Sequence, residues 1–408
     1  MRILVVSTLY PLPGNVARGT FVSDHVQLLR KMGHEVKVIN PLPRMTRYLE
    51  GAKPTLKGVS TAPREYEFAG DKVFSPKYLA LSGGSASWMT KISIKTKVSK
   101  SVKWLNGYSP EVIISHTLWP SGVFALSLAK KLKVPCIGVV HGWDVDVGLK
   151  SQELQKTLRN LISSLDGVIS VSNSLNERLL ELSEPKFSQV IPCHIEVGKD
   201  WKKSISNFKG RWRRERIDIL FPSDPHRPEK DYYLALECGR ELETRGWVVG
   251  ITTLKQQPRD LVWDRMMVAD LTLITSERES GPMVTKESIL CGTPVVSVNV
   301  GDASEWLPDF LISKSRDAQE LADCCEVALS KDWREFDLKV PSKFYADGVT
   351  EQWEKFLDIH LVRDFDRFTR NCRGLDFYPK VWTDGGGHFC EFNLLFHAIF
   401  GIVDVKRH

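Results

Sequence analysis

The chain has 408 residues, 42% hydrophobic and 26% charged. That length suits two or three domains, and the apolar content is enough to offset chain entropy, so global disorder is excluded. With 28 Gly, 21 Pro and 8 Cys, the collagen-like and disulfide-scaffold classes are excluded too, and a net charge of +6 permits anionic ligands or an anionic membrane surface without requiring either.

Ile3–Ser7 is a short continuous apolar run, the pattern of a parallel strand buried on both faces. A Pro/Gly loop follows, from Tyr10-Pro-Leu-Pro-Gly14 to Arg18-Gly19-Thr20. Phe21–Met32 then carries helical spacing through Phe21, Val22, His25, Val26, Leu28 and Leu29. Gly33 stops that helix and Glu35–Ile39 forms a second strand, completing one βαβ unit. The pattern returns with strand 112–115, helix 121–132, strand 136–140, helix 151–165, strand 167–171 and helix 174–182, and Val190-Ile191-Pro192 closes this half. Residues 44–108 give no clear pattern; they hold Gly83-Gly84 and a Lys-rich amphipathic stretch over 91–103. Residues 196–216 are polar and basic and read as a linker. A second half follows: strand 217–221, helix 231–245, strand 247–251, strand 271–275, helix 285–291, strand 294–298, and helices 318–329 and 350–359. Two consecutive α/β halves joined by a polar segment predict two Rossmann-like domains facing across a cleft.

Cysteines 136, 193, 238, 291, 324, 325, 372 and 390 include no C-x-x-C pair, which reads as reduced thiols of a cytosolic protein. Met1–Val6 is too short for a secretory signal, and no apolar run approaches the ~20 residues of a membrane span. The densest basic cluster, Arg211-Trp-Arg-Arg-Glu-Arg216, is too narrow for a nucleic-acid surface.

Four places carry candidate chemistry. The turn Pro13–Gly19 opens a helix at a strand's C-terminal end, where backbone amides can approach a phosphate. It is not G-x-G-x-x-G and no ribose-binding acid follows ~20 residues on, so a dinucleotide site is disfavoured. His141-Gly142-Trp143-Asp144 follows a strand directly, so His141 can reach a sugar hydroxyl from the strand end, or serve as a structural histidine. Asp144-Val-Asp146 leaves open a two-carboxylate metal site. Arg227-Pro-Glu-Lys230 places two cations between a strand and a helix, where they can meet a diphosphate or lie solvated. In Glu279-Ser-Gly-Pro-Met-Val-Thr-Lys-Glu287, two carboxylates lie eight positions apart, one in a Gly/Pro loop and one inside a helix. A helix carboxylate beside a cleft suits a ribose diol through charge-assisted bonds worth about 1.5–3 kcal/mol each.

With those pieces in order, residues 1–360 resemble a GT-B glycosyltransferase of family 4. The amino terminus with Gly33-His-Glu-Val, His116-Thr-Leu-Trp-Pro-Ser-Gly, His141-Gly-Trp-Asp, Phe221-Pro-Ser with Arg227-Pro-Glu-Lys, the E-x7-E segment and Val300-Gly-Asp-Ala-Ser-Glu305 carry the likeness. It is nearest to the branch that makes teichuronic acid and related bacterial surface polysaccharides. The resemblance implies an α/β GT-B fold: an acceptor domain over 1–195, a nucleotide-sugar domain over 196–345, a helix over 346–362 crossing back, and a tail over 363–408 of no recognisable kind.

It further implies a retaining, metal-independent hexosyltransferase that uses a nucleoside diphosphate sugar, UDP rather than GDP, and a glycan or lipid-linked acceptor. No cofactor and no nucleic-acid partner are expected, and the Lys-rich stretch 91–103 suggests peripheral membrane contact. By the same resemblance Glu287 binds the ribose, Glu279 the donor sugar, Lys230 and Arg227 the diphosphate, and His141 the sugar near its reacting carbon. Gly19 lines the phosphate loop, and Gly281, Met283 and Val284 supply amides. The sequence departs from the family at Glu279-Ser280-Gly281-Pro282, at Pro192-Cys193-His194-Ile195-Glu196 and at Pro222-Ser-Asp-Pro225. An epimerase of the same fold and a catalytically silent binding protein remain as alternatives.

Overall fold

The structure is a computed structural model that describes residues 1–51, 56–80, 87–150, 152–195 and 216–371, except 256, 258, 332, 334, 335 and 337; side chains at 147, 150, 259 and 359–371 are not described. Met1–Leu361 form one compact unit and Val362–His408 a second, of which only the end of the helix Ala346–Asn371 is described. The linker expected at 196–216, apart from Arg216, the Gly83-Gly84 pair, Cys372, Cys390 and nearly all of the tail lie outside the described residues.

The first half is built on an eight-stranded sheet. Edge to edge it runs Ser188–Val190, Gly167–Ser170, Cys136–Val140, Val112–His116, Arg2–Ser7, Glu35–Ile39, Asp71–Phe74 and Glu65–Phe68. All pairings are parallel except the last, an antiparallel hairpin. The central parallel strands show no burial alternation because helices cover both faces: Val112–His116 and Cys136–Val140 are buried at every position. The second half has five parallel strands in the order Val248–Thr253, Arg216–Phe221, Leu271–Ile274, Val295–Val298 and Ile312–Ser313.

Each sheet has its own apolar core, and the two chain crossings between them meet: the Ile195 amide donates to the Phe344 carbonyl at 2.8 Å. Beyond that crossing the helix Ala346–Asn371 returns to the first core, where Val349, Trp353, Phe356 and Leu357 are buried.

Three expectations need correction. The Lys-rich stretch is two helices, Ser87–Lys95 and Val98–Leu105, broken at Thr96-Lys97, and not one continuous face. The helix at 151–165 is Gln152–Ile162, preceded by a second helix Trp143–Lys150 that places the Asp144-Val-Asp146 pair in its first turn. The helical spacing seen at 350–359 belongs to the longer helix Ala346–Asn371, and a helix Arg259–Val268 that the pattern did not indicate fills the gap before Leu271. Six described cysteines are free thiols, and among the described residues no helix is long and apolar enough to cross a membrane.

Candidate active site

The candidate residues gather at the C-terminal ends of the two sheets, where open α/β sheets place their ligands. Strand Arg2–Ser7 leads to Gly19, the residue before helix Thr20–Lys31. Gly19 sits at φ 61°, and a Cβ there would lie 2.1 Å from the Leu9 carbonyl oxygen, so only glycine permits this approach. One residue into the helix, the Phe21 ring lies 4.4 Å from the His141 ring, which joins the first turn to the end of strand Cys136–Val140.

His141 does not stand alone. Its Nε2 is 2.9 Å from Nδ1 of His116, and Nε2 of His116 is 2.8 Å from Nδ1 of His25. His116 ends strand Val112–His116 and His25 lies on helix Thr20–Lys31, with the Trp353 ring of the returning helix 4.4 Å from it. Burial pushes His25 and His141 down to about 3 and His116 well below the usual histidine range, so all three are neutral near pH 7.

The second half supplies charge. Lys230 lies on the turn Pro228–Lys230, held by Thr275 Oγ1 donating to the Lys230 carbonyl at 3.1 Å and to the Asp231 carbonyl at 2.7 Å. Its ammonium pairs directly with Glu279, and Ser276 Oγ donates to the same carboxylate at 2.8 Å. Arg316 braces this corner through Asp231 and the carbonyls of Thr275 and Ser276.

Glu279 is in turn tied to the first half. Ser280 Oγ donates to the His141 carbonyl at 2.8 Å, and Arg178 Nη2 lies 3.3 Å from the Glu279 carbonyl. Gly142 makes the contact possible: at φ 108° a Cβ there would be 2.0 Å from Ser280 Oγ. Ser280, in the loop where the sequence departs from the family pattern, is thus the residue that docks on the histidine turn.

Past Pro282, helix Met283–Leu290 begins with no side-chain cap, so the N-terminal amides of Met283 and Val284 lack one. Glu287 is buried in its second turn. Gly281 lies against Asp302, whose carboxylate receives the buried Lys286 ammonium. Burial lowers Lys286 and raises Asp302, and each charge opposes the shift of the other. Lys286 lies 4.5 Å from the Phe344 ring and 3.4 Å from the Pro282 carbonyl, linking the loop base to the chain crossing.

The structure thus brings Lys230 and Glu279 into contact and docks their loop on the His141 turn through Ser280, with Gly19 two residues before Phe21 on the His141 side and Gly281, Met283 and Val284 following Ser280 at the start of helix Met283–Leu290. Arg227 goes elsewhere: it makes a surface pair with Glu229 at 2.6 Å and is half-exposed. In the Asp144-Val-Asp146 alternative, Asp146 is fully engaged and Asp144 only through Oδ2, its buried Oδ1 having no hydrogen-bond partner. Asp144 is buried and accepts from the Leu118 amide, and burial raises it to about 6. Asp146 takes Arg178 at 2.5 Å, with Arg278 at 3.6 Å. Among the described residues no cluster of three or more His, Cys, Asp or Glu is placed to hold a metal. The sequence offered His116, Lys286 and Asp302 only as members of motifs and His25 only as a residue of a helical apolar face; Arg178 carried no signal.

The model of Glycosyltransferase Family 4 matches residues 19–199 and that of Glycosyl transferases group 1 matches 241–339. Over 349 residues, 79% of this chain and 88% of the relative, the sequence is 28% identical to a putative teichuronic acid biosynthesis glycosyltransferase, TuaC, of Bacillus subtilis. The fold is similar to sucrose-phosphate synthase from Thermosynechococcus elongatus (TM-score 0.64, 13% identity, 89% of this chain and 99% of that one). It is also similar to HepE from Anabaena, solved with UDP and glucose (TM-score 0.59, 14% identity, 88% of this chain and 99% of that one). With both halves of the architecture matched in order, the chain belongs to the GT-B glycosyltransferases.

Proposed function

We propose that this enzyme transfers a hexose, with retention, from a nucleoside diphosphate sugar to a glycan or lipid-linked acceptor, without a metal or other cofactor, and that UDP is the carrier. The observation that carries the reading is the meeting of Lys230, Glu279 and His141 across the two halves. Glu287 takes the ribose diol, Glu279 the sugar hydroxyls, and Lys230 with the amides of Met283 and Val284 the diphosphate. The acceptor oxygen bonds to the anomeric carbon on the face from which the diphosphate oxygen leaves, and its proton passes to that phosphate. Arg227 is left out of this assignment because its half-exposed side chain contacts only Glu229 among the described residues, whereas Lys230 meets Glu279 at the corner itself. Metal independence is supported by Asp146, whose carboxylate meets Arg178 at 2.5 Å and Arg278 at 3.6 Å, so the Asp144-Val-Asp146 pair does not offer two free carboxylates. The carrier is supported by HepE, solved with UDP and glucose, and the acceptor class by the teichuronic acid relative.

A thermal-shift panel of UDP, GDP, ADP and TDP identifies the carrier, since a true ligand at 100 times its dissociation constant stabilises by about 2.7 kcal/mol. Turnover of the matching sugar donor in EDTA, with the anomeric configuration of the product read by NMR, tests metal independence and retention. Loss of activity in EDTA, restored by manganese or magnesium, returns the Asp144/Asp146 reading.

The proposal includes peripheral contact with an anionic membrane. Trp88 and Ile92, one turn apart on helix Ser87–Lys95, are 62% and 58% exposed. They line a groove with Leu79, Arg44, Lys77 and Lys97. Lys97 is lowered by burial and by the cations of Arg44, Lys100 and Arg64 around it, so the groove is basic as well as apolar. Sedimentation with anionic but not neutral liposomes at low salt supports the contact, and equal sedimentation removes it.

A further inference from the structure

The row His25–His116–His141 has a property that no single histidine has: its protons are coupled. Each of its two contacts joins ring nitrogen to ring nitrogen, at 2.8 and 2.9 Å, so each holds one proton between two nitrogens. A neutral imidazole carries one N–H. His116 therefore donates through one nitrogen and accepts through the other, and the row has only two proton arrangements.

In the first, His141 Nε2–H donates to His116, His116 donates to His25, and His25 ends the row with a buried Nε2–H. In the second, His25 Nδ1–H donates to His116 Nε2, His116 Nδ1–H donates to His141 Nε2, and His141 carries its proton on Nδ1. The two ends of the row differ. His25 Nε2 is buried and has no hydrogen-bond partner. His141 is only partly buried, and its Nδ1 has no protein partner among the described residues.

We infer that His116 and His25 are positioning residues which hold His141 as the Nδ1–H tautomer, so that its free nitrogen presents a donor to the donor sugar and its leaving phosphate. Two arguments select this arrangement. The first arrangement strands a buried N–H at His25, whereas the second strands only a lone pair, the less rare of the two defects. A departing diphosphate offers only acceptors, and the carboxylate of Glu279 supplies an acceptor to the same corner, so a donor at His141 complements both. Among the groups that act on the charge of His25 and His116 there is no carboxylate to choose the tautomer in the usual way; His25 is faced from outside by the Trp353 ring and by the buried His194, another base.

The inference rests on the reading that His141 faces the donor sugar, and the test separates the two. Long-range 1H–15N spectra of the full-length protein labelled with 15N-histidine, assigned with His141→Gln, report the tautomer directly without any ligand. The expected result is a protonated Nδ1 and an unprotonated Nε2 on His141; a protonated Nε2 overturns the inference whatever the kinetics show. With UDP-glucose as the first probe, His116→Leu is expected to lower kcat about tenfold with UDP affinity unchanged and to convert His141 to a mixture of tautomers. His116→Asn, whose amide can still donate to His141 Nε2, is expected to recover at least half of the lost activity. Equal activity of His116→Leu and wild type also overturns the positioning role. If instead His141→Ala turns over normally, the sugar-facing reading fails while the tautomer assignment still stands on its spectrum.

Discussion

On the first-half side of the candidate site, three histidines lie nitrogen to nitrogen with no carboxylate in contact among the described residues; on the second-half side, Lys230 and Lys286 each meet a carboxylate. The same physical pressure, removal from water, is resolved in two ways. Where partners of opposite charge are available the ions persist as pairs, as for Lys286 and Asp302, which are 1% and 2% exposed. Where only bases meet, burial discharges them, and the row becomes a neutral, directional set of hydrogen bonds. The two sides then have separate duties: charge to meet a diphosphate, and a neutral donor to meet a sugar.

Breaking the paired side should cost most. Lys286→Ala or Asp302→Ala leaves one buried ion without its partner and should destabilise by about 3–5 kcal/mol in urea unfolding. Lys286→Met combined with Asp302→Leu should cost less than either single change, because no ion is stranded. If the double variant is the worst of the three, the ion pair is not what holds this corner.

Acid should strike the neutral side. His25 and His141 refuse protons until about pH 3 in the folded chain but accept them near 6.5 when unfolded. Stability is therefore whole above pH 6.5 and is lost as pH falls toward 3. At pH 4.5 the two together cost on the order of 5 kcal/mol. Asp144 works in the opposite sense: its carboxyl is raised to about 6, so protonation favours the folded state and returns about 2 kcal/mol at that pH. Urea unfolding at pH 7.5 and 4.5 should show a net loss of at least about 3 kcal/mol, because His116, held well below the usual histidine range, adds to it in the same direction. An unchanged midpoint would mean that the row is charged when folded.

Lys230 and Arg227 sharpen the comparison within one loop. Lys230→Ala should lower kcat/KM about 10²-fold, as for loss of one donor to a developing anion. Arg227→Ala should stay within about twofold, since its exposed pair with Glu229 is worth at most about 1 kcal/mol. Equal losses would place Arg227 in the diphosphate site and require its side chain to leave Glu229.

Much of this architecture is legible in the sequence because parallel strands buried on both faces are short apolar runs: Ile3–Ser7, Cys136–Val140 and Gly167–Val171 stand out from their polar surroundings. Residues 44–108 are not legible for the opposite reason. Their strands are short, Lys77–Tyr78 only two residues long, and the hairpin Glu65–Phe68 with Asp71–Phe74 is half solvated. The site shows the same division. His141, Lys230 and Glu279 follow strand ends in loops of recognisable type. His25 sits 91 positions from His116 and has the spacing of an ordinary core residue, so a contact that only the tertiary fold creates is hidden. Arg227 and Lys230 are equivalent as cations of one short loop, and nothing in their spacing shows that Glu229 claims the first and leaves the second to Glu279.

The central claim is that the second half binds the nucleotide and the histidine side acts on the sugar. Calorimetric titration of UDP into Glu287→Ala and His141→Ala, beside steady-state kinetics with the full donor, tests it most directly. The account predicts that Glu287→Ala loses about 1.5–3 kcal/mol of UDP affinity and raises KM, whereas His141→Ala binds UDP as wild type does and loses about 10²-fold in kcat. Wild-type UDP affinity in Glu287→Ala would contradict the ribose assignment and with it the placement of every other residue in the site.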